Sequence, residues 1–305
     1  MNGNVNYSAA KDDLLSPCKN AEFFAMGAPP FPEAALCAEL SRLAYCRTAE
    51  DNFSLNRTRI SDELNRVGFK VQGWFESRGT PEGRGTHCFL AVSQNPGLAV
   101  VAFRGTDADD PTDVAHDAEA QPVSWDGGRG KVHWGFWAAL REVRKDLLDV
   151  LGTVPRGGRL LFTGHSLGAA LATLLAGMRQ PDALFTFGSP RVGDEEFVAT
   201  IDENRNYRYV DCCDIVTRVP PEGFGYQHLG KPYYIFQNRT IGFDPTDNEM
   251  RVDRLAAFLE YPIKYHAWRR ENVGVRELAD HAPVNYVSAV FAAPPPNPRI
   301  QQASP

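Results

Sequence analysis

The sequence predicts an α/β fold with a mixed, mostly parallel central sheet flanked by helices. Three observations lead there. Apolar runs at Phe69 to Phe75, His87 to Val92 and Leu98 to Phe103 are joined by the turn-rich stretches "ESRGTPEGRGT" and "SQNPG", which reads as an antiparallel start. From Arg159 onward, short buried strands alternate with helical patterns, the signature of parallel strands joined by helices. Finally, 305 residues that are 43% hydrophobic can fill one large core.

Residues 1–30, which run into the Pro-rich Pro29-Pro30-Phe31-Pro32, read as an irregular lead-in, and 31–292 as a single domain. Glu33 to Cys46 carries Leu36, Leu40 and Leu43 at helical spacing. "KVHWGFWAALREVRKDLLDVLG" places Phe136, Leu140, Val143, Leu147 and Val150 on one helical face, with Gly152 as the expected stop. Arg159 to Thr163 is a strand and Ala169 to Met178 a helix rich in Ala and Leu. Further strands are expected at Ala183 to Phe187, Tyr207 to Val210 and Tyr233 to Gln237, and a mixed helix at Met250 to Arg270. Residues 293–305, with the Pro-rich "PPPNP", read as a disordered tail.

The formal net charge of −6 argues against an electrostatic grip on nucleic acid. No stretch is long and apolar enough to span a bilayer. Met1 to Asp13 is polar and has no basic start followed by an apolar block, so a cytoplasmic location is expected, with secretion open if a leader has been removed. The six cysteines (Cys18, Cys37, Cys46, Cys88, Cys212 and Cys213) read as free thiols in that setting. Cys212 and Cys213 are adjacent, and on a strand would point to opposite faces. No metal-ligand spacing is seen, and no metal or cofactor is expected. The oligomeric state is not legible.

"LLFTGHSLGAALATLLAG", Leu160 to Gly177, concentrates the chemistry. An apolar strand meets the tight turn Gly164-His165-Ser166-Leu167-Gly168, and a small-residue helix follows. G-x-S-x-G presents a serine hydroxyl clear of the backbone, with glycines where a Cβ would collide. The serine still needs a base and an acid. Downstream, Asp211 and Asp214 lie at a strand end, where catalytic acids of open α/β sheets are expected. Asp214 is preferred because the extended segment after it would fix its position. Of the later histidines, His228 follows the acid closely, an awkward geometry that leaves it open as an alternative base, and His266 in "YPIKYHAWRR" reads as a helix-surface residue. His281, in a loop-like break, could swing over the sheet edge. The roles divide as Ser166 nucleophile, His281 base and Asp214 orienting acid.

The segments "VVAFRGT", "VHWGFWAAL", "TGHSLGAALATLLA", "FTFGSPRVGD", "DIVTRVPP" and "DHAPVNY" follow one another in the order seen in the class 3 lipases. The chain resembles that fungal-lipase-like branch of the α/β hydrolases from about Ala34 to Tyr286. The resemblance implies an α/β-hydrolase fold and hydrolysis of acyl glycerides or short soluble esters through an acyl-enzyme. It gives Ser166, Asp214 and His281 as the triad, and makes His228 a structural neighbour. It also assigns the oxyanion hole to Thr106 and to the backbone N–H of Leu167. Acyl transfer, phospholipase activity and a non-catalytic ligand-binding role are the alternatives. In the lid position stands "DADDPTDVAHDAEAQPVSW", with Asp107, Asp109, Asp110, Asp113, Asp117 and Glu119 as acids. Such a segment would insert poorly into lipid, so weak interfacial activation is expected. Trp134 and Trp137 read as core residues.

Overall fold

The computed structural model describes residues 6–19, 21–25, 31–48, 54–77, 79–80, 83–93, 97–106, 121–154 and 157–292. The acidic segment at 107–120 and the tail at 293–305 lie outside the described residues. Eight strands form the main sheet: β1 (Phe69–Glu76), β2 (His87–Ser93), β3 (Leu98–Phe103), β4 (Arg159–His165), β5 (Ala183–Phe187), β6 (Asn206–Asp211), β7 (Pro232–Ile235) and β8 (Ile241–Phe243). Their order in space is their order in the chain. β1, β2 and β3 pair antiparallel. β3 through β7 are parallel, and β8 returns antiparallel at the edge.

The apolar runs are continuous because the central strands are buried on both faces. Successive side chains alternate between two cores. Val100, Ala102 and Leu161 meet Leu36 and Leu40 of α2 (Glu33–Leu43) and Val287 of α9 (Pro283–Ala292) on one face. Val101, Phe103 and Phe162 meet Leu171 and Leu175 of α6 (Leu167–Met178) and Trp137 and Leu140 of α4 (Trp134–Arg141) on the other. Trp137 is thus a core residue as expected, whereas Trp134 is partly exposed.

Several elements differ from the sequence reading. The single helix expected across 134–153 is two, α4 and α5 (Arg144–Thr153), with a turn at Glu142 and Val143. Gly152 does not stop α5, because glycine can stay helical. The chain leaves the helix at Val154, which is extended and precedes a proline. α3 (Arg57–Arg66) was not read at all. It buries only Ile60 and Leu64, four residues apart, and is capped by Asn56, whose side chain accepts from Arg59 N–H. α7 (Asp247–Lys264) starts earlier and ends earlier than expected, set by a capping box in which Thr246 and Glu249 exchange hydrogen bonds. A short α8 (Arg276–Ala279) follows before α9.

The lead-in is more ordered than its composition suggests. Residues 11–15 form α1 (Lys11–Leu15), and Phe23 is buried in the first core. Ala10 bridges Asn272, Ser8 and Asn285 exchange two hydrogen bonds, and the Tyr7 hydroxyl donates to Asp280 Oδ1 at 2.7 Å.

The cysteine expectation is corrected. Cys18 and Cys46 form a disulfide across 28 residues, closing the turn after α1 onto the end of α2. No C-x-x-C spacing marks such a pair; only the fold brings the two together. Cys37, Cys88, Cys212 and Cys213 are free and buried. Cys212 and Cys213 do not diverge across a strand, since β6 ends at Asp211 and they occupy the turn beyond it. Their sulfurs are 3.4 Å apart.

Candidate active site

Ser166 sits between β4 and α6 with φ +58° and ψ −129°, a conformation that side chains other than glycine rarely adopt. Its N–H donates to Phe187 O at 3.0 Å, which pins the turn to β5. The two glycines of the turn are sterically required. A Cβ on Gly164 would lie 2.2 Å from Gly168 C, and one on Gly168 would lie 2.4 Å from Phe103 O. The small residues of α6 let the helix start this close to the sheet.

Asp214 lies one turn beyond β6, its N–H donating to Asp211 O. Its carboxylate accepts from Val216 N–H at 2.9 Å, from the Tyr286 hydroxyl at 2.5 Å and from His281 Nδ1 at 2.9 Å. His281 lies in the connection between α8 and α9, and its Nε2 is 2.9 Å from Ser166 Oγ. All three residues are buried. Gly188, with φ +61°, leaves room for this contact: a Cβ there would fall 2.7 Å from Asp214 Oδ2 and 3.1 Å from His281 Nδ1.

The histidine and the acid are anchored through their neighbours. Cys213 N–H donates to Asp280 Oδ2 at 3.0 Å, tying the residue before Asp214 to the residue before His281. Asp280 also pairs with Arg276 Nε at 3.1 Å. Beneath the turn, His165 Nε2 contacts His281 O at 2.7 Å and its Nδ1 contacts the Tyr45 hydroxyl at 2.7 Å. A carbonyl oxygen only accepts, so Nε2 carries the proton and Nδ1 accepts from Tyr45. Burial first, and then the adjacent His281, hold His165 well below the usual imidazole range, so this ring is a neutral brace.

The other sequence candidates fall elsewhere. Asp211 is engaged by Arg239, whose Nη1 reaches both carboxylate oxygens at 2.8 and 3.0 Å. Burial pushes the Asp211 carboxyl up and Arg239 pulls it back. His228 Nε2 donates to Thr217 O at 2.8 Å, with burial and the nearby Arg208 keeping the ring neutral. His266 is exposed beyond the end of α7. Leu167 opens α6 directly after Ser166. Thr106 follows Gly105, where a Cβ would lie 2.7 Å from His165 O, so the end of β3 runs against the serine turn. Both Thr106 and Leu167 are half-buried.

Tyr45, His165, Gly188 and Tyr286 were missed as site residues. His165, Gly188 and Tyr286 stand inside segments already singled out, yet nothing in their spacing marks them as partners. Among the described residues, Cys212, Cys213 and Asp280 could converge on a metal ion. Asp280 is already satisfied by Tyr7, Cys213 N–H and Arg276.

The arrangement is a hydroxyl, an imidazole and a carboxylate in line, suited to moving one proton from the hydroxyl to the ring. A family model described as lipase (class 3) matches residues 100–224. The chain is similar to secreted mono- and diacylglycerol lipase 1 of Fusarium solani, 34% identical over 40% of this chain and 39% of that protein. Among solved structures it is similar to the lipase of Rhizopus microsporus var. chinensis, with 30% identity, 66% of this chain and 71% of that one covered, and a TM-score of 0.52. It is likewise similar to the mono- and diacylglycerol lipase of Aspergillus oryzae, with 28% identity, 73% and 85% covered, and a TM-score of 0.56. These neighbours show the α/β-hydrolase fold that the resemblance implied. The matches span between two fifths and half of the length of the first curated relatives. Several relatives are named as secreted, which overturns the cytoplasmic expectation. That expectation rested on the polar opening residues alone, and the Cys18–Cys46 disulfide is of a kind that persists in oxidising compartments.

Proposed function

Because the chain belongs to the class 3 lipase family, we propose that it hydrolyses carboxylic esters of acylglycerols through a covalent acyl-enzyme on Ser166. The observation that carries this reading is the unbroken line from Ser166 Oγ through His281 to Asp214, with both contacts at 2.9 Å, ending on a serine at positive φ. Ser166 Oγ attacks the ester carbonyl carbon while His281 Nε2 takes its proton. Asp214 holds Nδ1–H and stabilises the imidazolium that forms. The backbone N–H groups of Leu167 and Thr106 receive the negative charge on the carbonyl oxygen as it develops. His281 then returns the proton to the departing alcohol, and water repeats the sequence to free the acid. Export from the cell is part of the proposal, supported by the disulfide and by the names of the relatives.

The test is the initial rate on a p-nitrophenyl ester series from acetate to palmitate. Ser166→Ala is expected to lower hydrolysis at least ~10⁴-fold on every member while the fold is retained. A variant that keeps the wild-type rate sinks the proposal.

A further inference from the structure

α7 presents an apolar stripe to solvent. Its inner face is used: Ala257 and Tyr261 are buried against Val210, Tyr234, Val273 and Ala279. Asp253 and Arg254 clamp the same side, accepting from the Tyr234 hydroxyl and donating to Cys212 O respectively. On the outer face, Val252 is 55% exposed, Leu255 56%, Leu259 81% and Ile263 74%, and Trp268 just beyond the helix is 67% exposed. One exposed leucine is ordinary, but four apolar residues at steps of three and four make a continuous ridge. At a rise of 1.5 Å per residue the ridge runs roughly 16 Å along the helix.

The charges around the ridge indicate what covers it. Arg251 flanks one end, with Asp247 and Glu249 before it in the helix, and Lys264, Arg269 and Arg270 lie within four residues of Trp268 at the other, with Glu260 and Glu271 nearby in the chain, all exposed. Lys264 pairs with Glu260. Among the described residues, Arg251, Arg269 and Arg270 have no carboxylate partner. A lipid–water boundary fits both features. The aliphatic ridge enters the acyl region, the indole sits at headgroup level, and the guanidinium groups reach back to lipid phosphates.

We propose that the outer face of α7 docks the protein on a lipid surface whose headgroups are partly anionic. This rests on the ester-hydrolase reading, because such a surface is where acylglycerols reside. α7 leads through α8 into the loop that carries His281, so the docked face and the base belong to one continuous stretch of chain.

The experiment measures co-flotation of the full chain with vesicles of phosphatidylcholine containing a minor fraction of phosphatidylglycerol, alongside hydrolysis of soluble p-nitrophenyl acetate. Leu259→Ser/Ile263→Ser is expected to lower the vesicle partition coefficient at least about tenfold and leave acetate hydrolysis unchanged. Arg269→Gln/Arg270→Gln is expected to weaken flotation on these vesicles but not on pure phosphatidylcholine. Ser166→Ala should float like the wild type while losing hydrolysis, so failure of the catalytic reading stays distinguishable from failure of docking. Flotation unaffected by Leu259→Ser/Ile263→Ser, or absent from the wild type, overturns the proposal. So does a dimer in solution that this double variant dissociates.

Discussion

The Tyr286 hydroxyl donates to Asp214 Oδ2 at 2.5 Å and accepts from Asp211 N–H at 3.1 Å, so one phenol joins two turns of the strand end. Tyr286→Phe removes a charge-assisted hydrogen bond and leaves a buried N–H unpaired, each of which costs on the order of 1–3 kcal/mol. The expected result is a fall in kcat of roughly tenfold to a hundredfold with KM little changed, read on a soluble ester. Equal kcat in both proteins would show that Val216 N–H and His281 suffice to hold the carboxylate. That Ser166, Asp214 and His281 would be brought together was legible in the sequence, because each stands in a distinctive local context. Tyr45, His165 and Tyr286 act across 120, 116 and 72 residues of chain, and no local pattern records such distances.

Between elements, the Cys18–Cys46 link fixes the turn after α1 to the end of α2, the helix packed directly on the central strands. Closing a loop of that length in the unfolded chain is worth ~3.5 kcal/mol by chain entropy. Cys46→Ser is therefore expected to lower the urea midpoint with the cooperativity slope close to unchanged. A midpoint equal to that of the wild type, with both proteins oxidised, would show that packing alone secures α2. The buried strands were the most legible elements, because burial on both faces writes an uninterrupted apolar run. α3 and β8 escaped for the opposite reason. α3 buries two residues of ten, and β8 is a three-residue edge strand with no buried side chain. The break between α4 and α5 falls inside an unbroken helical periodicity, so spacing alone could not show it.

Over the whole molecule, the buried histidines contribute a loss of stability in acid, and their shifts set its window. His87 is pushed down to about 4, first by burial and then by the nearby Arg104. His165 and His228 are also depressed by burial. An unfolded histidine takes up its proton as pH falls through about 6.5, while the folded His87 resists until about 4. Between those values the unfolded state binds more protons, and stability falls with pH by up to ~1.4 kcal/mol per unit for each such ring. In urea midpoints measured from pH 7 to pH 4, His87→Gln should lose less stability than the wild type, its slope differing by one proton. A slope unaltered by that change would mean that His87 is protonated in the folded protein. The acidic segment after β3 spoke against lipid contact, while α7 turns a different surface outward. The sequence reading noted the helix but not its outward stripe, because periodicity does not tell which face is buried.

The clasp of Tyr7 and Ser8 on Asp280 and Asn285 joins residues 273 and 277 apart, and Ser166 meets His281 across 115. Contacts between such distant parts of a chain are entropically the hardest to close. The contact between Ser166 and His281 therefore forms only with the completed fold, and no fragment holding only the serine turn contains His281.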